Sequence, residues 1–165
     1  MSRAFVKESD GDADLPDLPL SPHPNYTTPD GREAMGRRLA AAQRALAGAS
    51  ADQAAGRVAV DGRSLAQWQR EVRWLEARLA AAIVVPPPAT PPERVIFGVE
   101  VQLEDEHGQR YRFRIVGEDE ADLARGRISW VSPLARALLG ARVDDEVLWP
   151  RPEGDLAVAV LAIGC

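Results

Sequence analysis

The sequence contains one cysteine, Cys165, and two histidines, His23 and His107, among its 165 residues. A single cysteine excludes an internal disulfide, and the Cys/His spacing of a zinc site is absent. There is also no Ser/His/Asp set and no glycine-rich phosphate loop. The sequence therefore predicts no catalytic set, metal site or cofactor site that belongs to the chain alone.

Long apolar runs are missing as well. No uninterrupted stretch approaches the roughly 20 residues that a membrane-spanning helix needs, and the N-terminus lacks the apolar core of a signal peptide. We therefore expect a cytoplasmic protein without a membrane partner. The formal net charge of −5 argues against a protein that coats nucleic acid.

The chain begins with an acidic stretch that carries four prolines, and residues 1–26 are predicted to form a flexible leader. The composition changes at Thr28, where a threonine cap is followed by Pro29 and Asp30, the pattern of a helix start. An apolar stripe with steps of four, three and four then predicts one buried helix face: Met35, Leu39, Ala42 and Leu46.

The longest regularly patterned stretch runs from Ser64 to Val85. Its apolar residues recur at intervals of three and four, which predicts an amphipathic helix: Leu65, Trp68, Val72, Leu75, Leu79 and Ile83. Asp61 or Ser64 can cap this helix. Because the glycine-containing segment before it must reverse the chain, residues 27–85 are predicted to form an antiparallel helical hairpin.

Residues 86–93 are rich in proline and predict a stiff linker. From Arg94 the apolar residues alternate, which indicates strands with one buried face. Ser132 and Pro133 repeat the pattern of a helix start, and two further strands are predicted near the C-terminus. Residues 94–165 therefore read as an α+β domain, an antiparallel sheet packed on one short helix.

Two segments of this domain, RVIFGVEVQLEDEHGQRYRFRIVGEDEAD and RISWVSPLARALLGARVDDEV, resemble the C-terminal domain of the bacterial GreA/GreB transcript-cleavage factors. The earlier TTPDGREAMGRRL and REVRWLEARL resemble the ends of that family's two coiled-coil helices nearest the body. The resemblance covers Thr27 to Ile163. Two features, the dipeptide Phe97-Gly98 after the linker and the stretch YRFRIVG, resemble GreB more than GreA. It implies an N-terminal antiparallel coiled-coil hairpin followed by an FKBP-like antiparallel sheet with one short helix.

The resemblance also implies a partner, bacterial RNA polymerase. In the family the C-terminal domain docks at the rim of the polymerase secondary channel while the hairpin passes down it, near nascent RNA or DNA. On this sequence, the implied docking residues are Trp130, Val131, Ser132, Pro133, Arg136 and Ala137. We expect the protein to act as a monomer.

At the family's hairpin tip, two acids three residues apart help to hold a second Mg²⁺ in the polymerase active centre. Such a metal ion needs hard oxygen ligands and lowers the pKa of the attacking water. This sequence lacks that pair. Its turn region offers Asp52 and Asp61, with Arg57 and Arg63 nearby, and the hairpin is shorter than the family's. For Asp61 we favour the role of helix cap.

The favoured hypothesis is a polymerase-binding elongation regulator with weak or no stimulation of transcript cleavage. Four arginines, Arg57, Arg63, Arg70 and Arg73, would then meet RNA phosphate or acidic channel walls, with Arg70 and Arg73 as the basic face of the hairpin, although a solvated helix face explains them about as well. One alternative is an active cleavage factor that uses Asp52 or Asp61 with Mg²⁺. Another is a stand-alone FKBP-like enzyme such as a prolyl isomerase, for which the fold would be the only argument.

Overall fold

The computed structural model of the protein describes residues 15–57 and 63–165. Two compact units form, one from Met1–Pro22 and Ala34–Ala80 and the other from His23–Glu33 and Ala81–Cys165. The elements in chain order are β1 (Asn25–Thr27), α1 (Pro29–Ala54), α2 (Leu65–Ala80), β2 (Ala82–Val84), β3 (Glu100–Asp105), β4 (Arg110–Val116), β5 (Arg127–Ser129), α3 (Pro133–Leu138), β6 (Glu146–Trp149) and β7 (Leu156–Gly164). The predicted α+β class, with a helical N-terminal region and a C-terminal sheet, is confirmed.

Both long helices begin at hydroxyl caps. The Gly31 amide donates to Thr28 Oγ1 at 3.0 Å, and Pro29 fills the first helical position of α1, where no amide donor is needed. At α2 the cap is reciprocal, because the Gln67 amide donates to Ser64 Oγ and the Ser64 amide donates to the Gln67 side chain. Ser64 is thus a cap of α2, whereas Asp61 lies outside the described residues.

The helices α1 and α2 pack on each other through the apolar stripes that the sequence predicts. The buried members of this cluster are Met35, Ala42, Val72 and Leu75. Partly buried side chains surround them: Leu39, Leu46, Trp68, Trp74 and Leu79. Each stripe is too narrow to form a core alone, so the burial of apolar surface stabilises each helix only when it packs on the other.

Polar contacts also join the two helices. Arg38 donates to Glu71 at 2.9 Å and Gln43 donates to Glu76 at 3.4 Å, and both pairs are 33 residues apart. In a regular antiparallel coiled coil, a residue further along the first helix contacts a residue earlier in the second helix. Gln43 instead contacts a later residue of α2 than Arg38 does, so these two pairs do not follow an antiparallel register. The antiparallel course of the two helices stays a prediction.

The end of α2 differs from the sequence prediction. The helix stops at Ala80 instead of Val85, and β2 follows it in a parallel pair with β1. The last two residues of the predicted leader, Asn25 and Tyr26, lie in β1, and Asn25 is buried there. The physical reason is a tertiary contact: β-branched residues favour an extended chain in β2, and the Val85 amide continues the ladder by donating to the Thr27 carbonyl. Residues 1–14 of the leader lie outside the described part of the chain.

The C-terminal sheet has five strands in the order β5-β4-β3-β7-β6. Three of its pairs are antiparallel as predicted, but β4 and β5 run parallel. The reason is that Glu118–Glu120 and Leu123–Arg125 form two short 3-10 turns between these strands, and this crossover returns the chain in the same direction. Side chains alternate along β3, and one face covers the core together with α3.

The first strand of this sheet begins later than predicted, at Glu100 instead of Arg94. Gly98 adopts a φ of 88°, which interrupts an extended chain. Val95 is nevertheless buried, and its backbone pairs with the chain after α3 through bonds to Gly140 and Ala141. Among the helices of the described residues, none has the length and apolar character needed to cross a membrane.

The first turn of α1 is fixed to the sheet domain by the carboxylate of Glu120. The backbone amides of Thr28 and Gly117 donate to one carboxylate oxygen at 3.0 and 3.1 Å. The Thr27 hydroxyl reaches the same oxygen at 3.1 Å, and the Thr28 hydroxyl donates to the other oxygen. An anion at a helix N-terminus is favoured by the helix dipole, so Glu120 both caps and positions α1.

This contact requires a glycine in the first turn of α1. A Cβ at Gly31 would overlap the Glu120 carboxylate, while a Cβ at Gly36 would meet no atom within 4 Å. We expect Gly31→Ala to displace Glu120 and to lower the free energy of unfolding by about 1–3 kcal/mol. The matched Gly36→Ala should be neutral or stabilise by roughly 0.5–1 kcal/mol. Urea denaturation measures both, and equal effects would contradict the proposed overlap.

A second prediction concerns Glu71 on α2. Although its burial opposes ionisation, hydrogen bonds from Arg63 and Arg38 hold the pKa of Glu71 below its ordinary value of 4.5. The ion pair therefore stabilises the fold above that value, and this contribution is lost as the pH falls through the lowered pKa. Glu71→Gln should cost roughly 0.5–1 kcal/mol at pH 7.

The difference between Glu71→Gln and the unsubstituted protein should shrink as the pH is lowered through the pKa of Glu71. Glu76→Gln is the matched control, since Glu76 lies on the same helix and faces the neutral Gln43. Urea denaturation over a pH series checks the expectation. It fails if the effect of Glu71→Gln does not change with pH, or if Glu76→Gln reproduces it.

Candidate functional site

The segment from Trp130 to Ala137 surrounds the N-terminus of α3. Ser132 caps this helix, because its Oγ accepts a hydrogen bond from the Ala135 amide at 3.2 Å, and Pro133 fills the first helical position. Leu134, Ala135 and Leu138 point into the core, and this burial fixes the rotation of the helix. Pro133 and Arg136 are consequently exposed.

The six candidate docking residues thus lie in one continuous segment, but they differ in exposure. Pro133 and Arg136 are the exposed members, and Val131, Ser132 and Ala137 are half-buried. The surface they form combines an exposed proline with one cation on a short, firmly capped helix. Such a preformed surface loses little conformational entropy when a partner binds.

Trp130, the sixth residue, belongs to an aromatic cluster. Its ring packs edge-on against Tyr26 at 5.1 Å and against His23 at 6.0 Å between ring centroids. Tyr26 in turn lies 6.1 Å from Phe97. No local sequence pattern predicts this cluster, because its members are far apart in the chain. Trp130 therefore packs β1 against the sheet, in addition to standing beside α3.

The indole Nε1 of Trp130 is buried, and it has no hydrogen-bond partner among the described residues. A buried donor without an acceptor is costly, and such groups need a structural or functional reason. Because this donor is buried, the start of α3 offers a partner the exposed Pro133 and the cation of Arg136.

The candidate residues at the end of α1 form a closed local pair. Arg57 contacts the Asp52 carboxylate at 2.7 Å, and its backbone amide donates to the Asp52 carbonyl at 2.8 Å. Asp52 therefore stabilises the C-terminal end of α1 through contacts with Arg57. Asp61 lies outside the described residues. Across residues 15–57 and 63–165, no group of three or more His, Cys, Asp or Glu side chains could hold a metal ion.

The predicted basic face is largely neutralised by contacts within the helical unit. Arg63 contacts Glu71 at 2.6 Å and its guanidinium stacks 3.7 Å from the Trp68 ring centroid. Arg73 contacts Asp17 at 2.7 Å and also donates to the Leu15 carbonyl. Of the four candidate arginines, Arg70 makes no ion pair within the described chain.

The turn between β3 and β4 contains His107, one of the two histidines of the chain. The organising group there is Asp105, which accepts hydrogen bonds from the backbone of His107 and Gln109 and from the Tyr111 hydroxyl. Although desolvation opposes ionisation, these bonds hold the pKa of Asp105 below its ordinary value. The His107 side chain is 75% exposed, so the arrangement is a structural turn.

Comparison with known proteins identifies the domain that carries α3. A family model described as the C-terminal domain of the transcription elongation factor GreA/GreB matches residues 90–164. The transcription elongation factor GreB of Neisseria meningitidis serogroup B is 42% identical over 104 residues, which are 61% of this chain and 63% of that protein. GreB of Pseudomonas aeruginosa is 51% identical over 84 residues, covering 51% of this chain and 50% of that protein.

A solved structure of GreA factor homolog 1 from Thermus thermophilus is 26% identical, with 87% of this chain and 100% of that chain covered, but its TM-score of 0.40 is too low to support an argument. In the two GreB comparisons, the chain spans 50% to 63% of the relatives' length. The predicted resemblance to the GreA/GreB family is confirmed for the C-terminal domain, which matches that family at residues 90–164, and the two relatives compared here are GreB proteins.

Proposed function

We propose that this chain binds bacterial RNA polymerase at the rim of the secondary channel and regulates elongation with weak or no stimulation of transcript cleavage. The observation that carries the proposal is the GreA/GreB C-terminal domain at residues 90–164. The relatives that share this domain are named transcription elongation factors, a function that requires contact with an elongating polymerase.

The end of α3 is the surface that we propose for docking. Its support is geometric: the Ser132 cap and the buried Leu134 and Leu138 hold the helix in one orientation, which exposes Pro133 and Arg136. A guanidinium on a rigid element suits an acidic partner, because it can bind a carboxylate through two donors. Trp130 contributes by fixing the chain immediately before the cap.

The second half of the proposal, weak or absent cleavage stimulation, rests on the end of α1. A metal ion shared with the polymerase would need free carboxylate ligands at that end. Asp52 is instead tied to Arg57 by a 2.7 Å ion pair, so releasing it would leave the Arg57 cation unpaired. Cleavage with Asp52 or Asp61 remains the alternative, and the second experiment below separates the two.

The ion-paired arginines in α2 and just before it also support the proposal that the helices contribute little to binding. A helix that binds RNA inside a channel would be expected to present unpaired cations. Arg63 instead contacts Glu71, and Arg73 contacts Asp17. Contact with nascent RNA or DNA would fall mainly to Arg70. We therefore assign affinity for the polymerase to the C-terminal domain and only a minor share to the helices.

The docking proposal predicts that Arg136→Glu weakens binding to core RNA polymerase about tenfold, equivalent to about 1.4 kcal/mol. The substitution reverses a charge at the centre of the proposed surface without touching the core. Arg142→Glu is the matched control, because Arg142 is also exposed, makes no ion pair in the described chain and lies outside the segment from Trp130 to Ala137.

Biolayer interferometry with immobilised polymerase gives the affinities of both variants. Trp130→Ala is not suited to this test, since loss of the aromatic cluster would disturb β1 as well as α3. An Arg136→Glu affinity equal to that of Arg142→Glu would remove α3 from the docking surface.

The cleavage proposal predicts that backtracked elongation complexes shorten their transcripts no faster with this protein and Mg²⁺ than with Mg²⁺ alone. A GreB relative with strong activity serves as the positive control. If the protein does shorten transcripts, and Asp52→Asn together with Asp61→Asn abolishes the effect, the alternative function replaces the proposed one.

A further inference from the structure

A cavity of about 260 Å³ lies in the sheet domain beside β4 and β5. Its walls include the apolar residues Pro29, Pro87 and Val116 and two arginines, Arg114 and Arg127. The arginines are direct neighbours, because Arg114 and Arg127 are paired in the parallel register of β4 and β5. Two cations on adjacent strands repel each other unless an anion lies near both.

Arg127 has an unused donor at this cavity. One of its terminal nitrogens lies 3.5 Å from Asp122, while its Nε is buried and has no hydrogen-bond partner in the described part of the chain. A buried N–H of a charged group without an acceptor is unfavourable. This Nε has almost no accessible surface, so a ligand in the cavity would reach Arg127 through its terminal guanidinium nitrogens, since the side chain as a whole is 37% exposed.

Arg114 also lacks a carboxylate partner, unlike its neighbours on β4. Arg110 contacts Glu104 and Arg112 contacts Glu100, in both cases on β3. Arg114 donates one N–H to the Cys165 carbonyl at 3.1 Å and makes no ion pair within the described residues. Its remaining guanidinium donors are therefore available at the cavity wall.

Two acidic residues also line the cavity, but they do not satisfy these arginines. The Glu120 oxygens already accept four hydrogen bonds from Thr27, Thr28 and Gly117. Asp30 is exposed to solvent, where its charge is screened. Neither forms an ion pair with Arg114 or Arg127 in the described chain, and both arginines keep unused donors.

We propose that this cavity binds a phosphate group, held by the terminal guanidinium donors of Arg127 and the free guanidinium donors of Arg114. Guanidinium forks match the oxygens of a phosphate. The cavity of about 260 Å³ is smaller than the roughly 300–1,000 Å³ of sites that enclose a whole small molecule. It therefore fits inorganic phosphate or the terminal phosphate of a larger molecule whose remainder stays outside.

The test titrates the full chain with inorganic phosphate and, separately, with adenosine monophosphate, at constant ionic strength, and follows binding by ³¹P NMR and calorimetry. Saturable binding of either probe is expected, with Arg114→Gln and Arg127→Gln each weakening it at least fivefold. Arg112→Gln is the matched control, because Arg112 is the next outward arginine of β4, is ion-paired with Glu100 and does not line the cavity.

The two probes also identify the source of the phosphate. Equal affinities would assign free phosphate, and tighter adenosine monophosphate binding would assign a phosphorylated molecule. Circular dichroism checks the fold of each variant, and Arg114→Gln carries the test alone if Arg127→Gln does not fold. The proposal is overturned if neither probe saturates, or if Arg112→Gln weakens binding as much as Arg114→Gln. Polymerase binding plays no part in these outcomes.

Discussion

The arrangement of the C-terminal unit depends on the carboxylate of Glu120. This carboxylate accepts hydrogen bonds from two consecutive threonines, Thr27 and Thr28, and from the Gly117 amide. Through those bonds it joins the end of β1, the cap of α1 and the chain that leaves β4. This arrangement favours glycine at position 31, because any side chain there would overlap the Glu120 carboxylate. A partly buried group of four hydrogen bonds thus holds the start of the 26-residue helix α1.

The helical unit pairs most of its candidate arginines with its own carboxylates. Glu71 receives both Arg38 and Arg63, and Asp17 receives Arg73. A metal ion or phosphate that binds these side chains must first break an existing pair, but exposed pairs of this kind contribute only about 0–1 kcal/mol. The same applies to Asp52 with Arg57, whose arginine side chain is 64% exposed. The internal pairs therefore lower the affinity of these side chains for an outside ligand and do not abolish it.

The sequence predicts the elements that follow from local rules. The stripe from Met35 to Leu46 has helical spacing, Ser132 with Pro133 marks the start of α3, and β6 follows alternation. It does not predict β1, whose buried residues Asn25 and Thr27 are polar and become a strand only because β2 pairs with them. The parallel pairing of β4 with β5 is equally invisible, since it depends on how the intervening turns cross the sheet.

The candidate site divides in the same way. The cap at Ser132 and the exposure of Arg136 follow from a helix pattern of a few residues, and the structure places them as that pattern requires. The packing of Trp130 on Tyr26 and the pairing of Arg73 with Asp17 join residues distant in the chain. Arginine alone does not reveal its partner, so the sequence assigned a basic face to side chains that are largely paired.

The arginines of β4 differ in whether they have a carboxylate partner, and this difference distinguishes the one beside the cavity. Arg110, Arg112 and Arg114 alternate on the outward face of β4, and β3 offers Glu104 and Glu100 as partners. Two carboxylates cannot neutralise three arginines, so the last arginine remains available beside Arg127. Because Glu120 already occupies the positive end of α1, the helix dipole contributes little further attraction at the cavity. Any anion held there must therefore depend on the two arginines, which is what makes their substitution decisive.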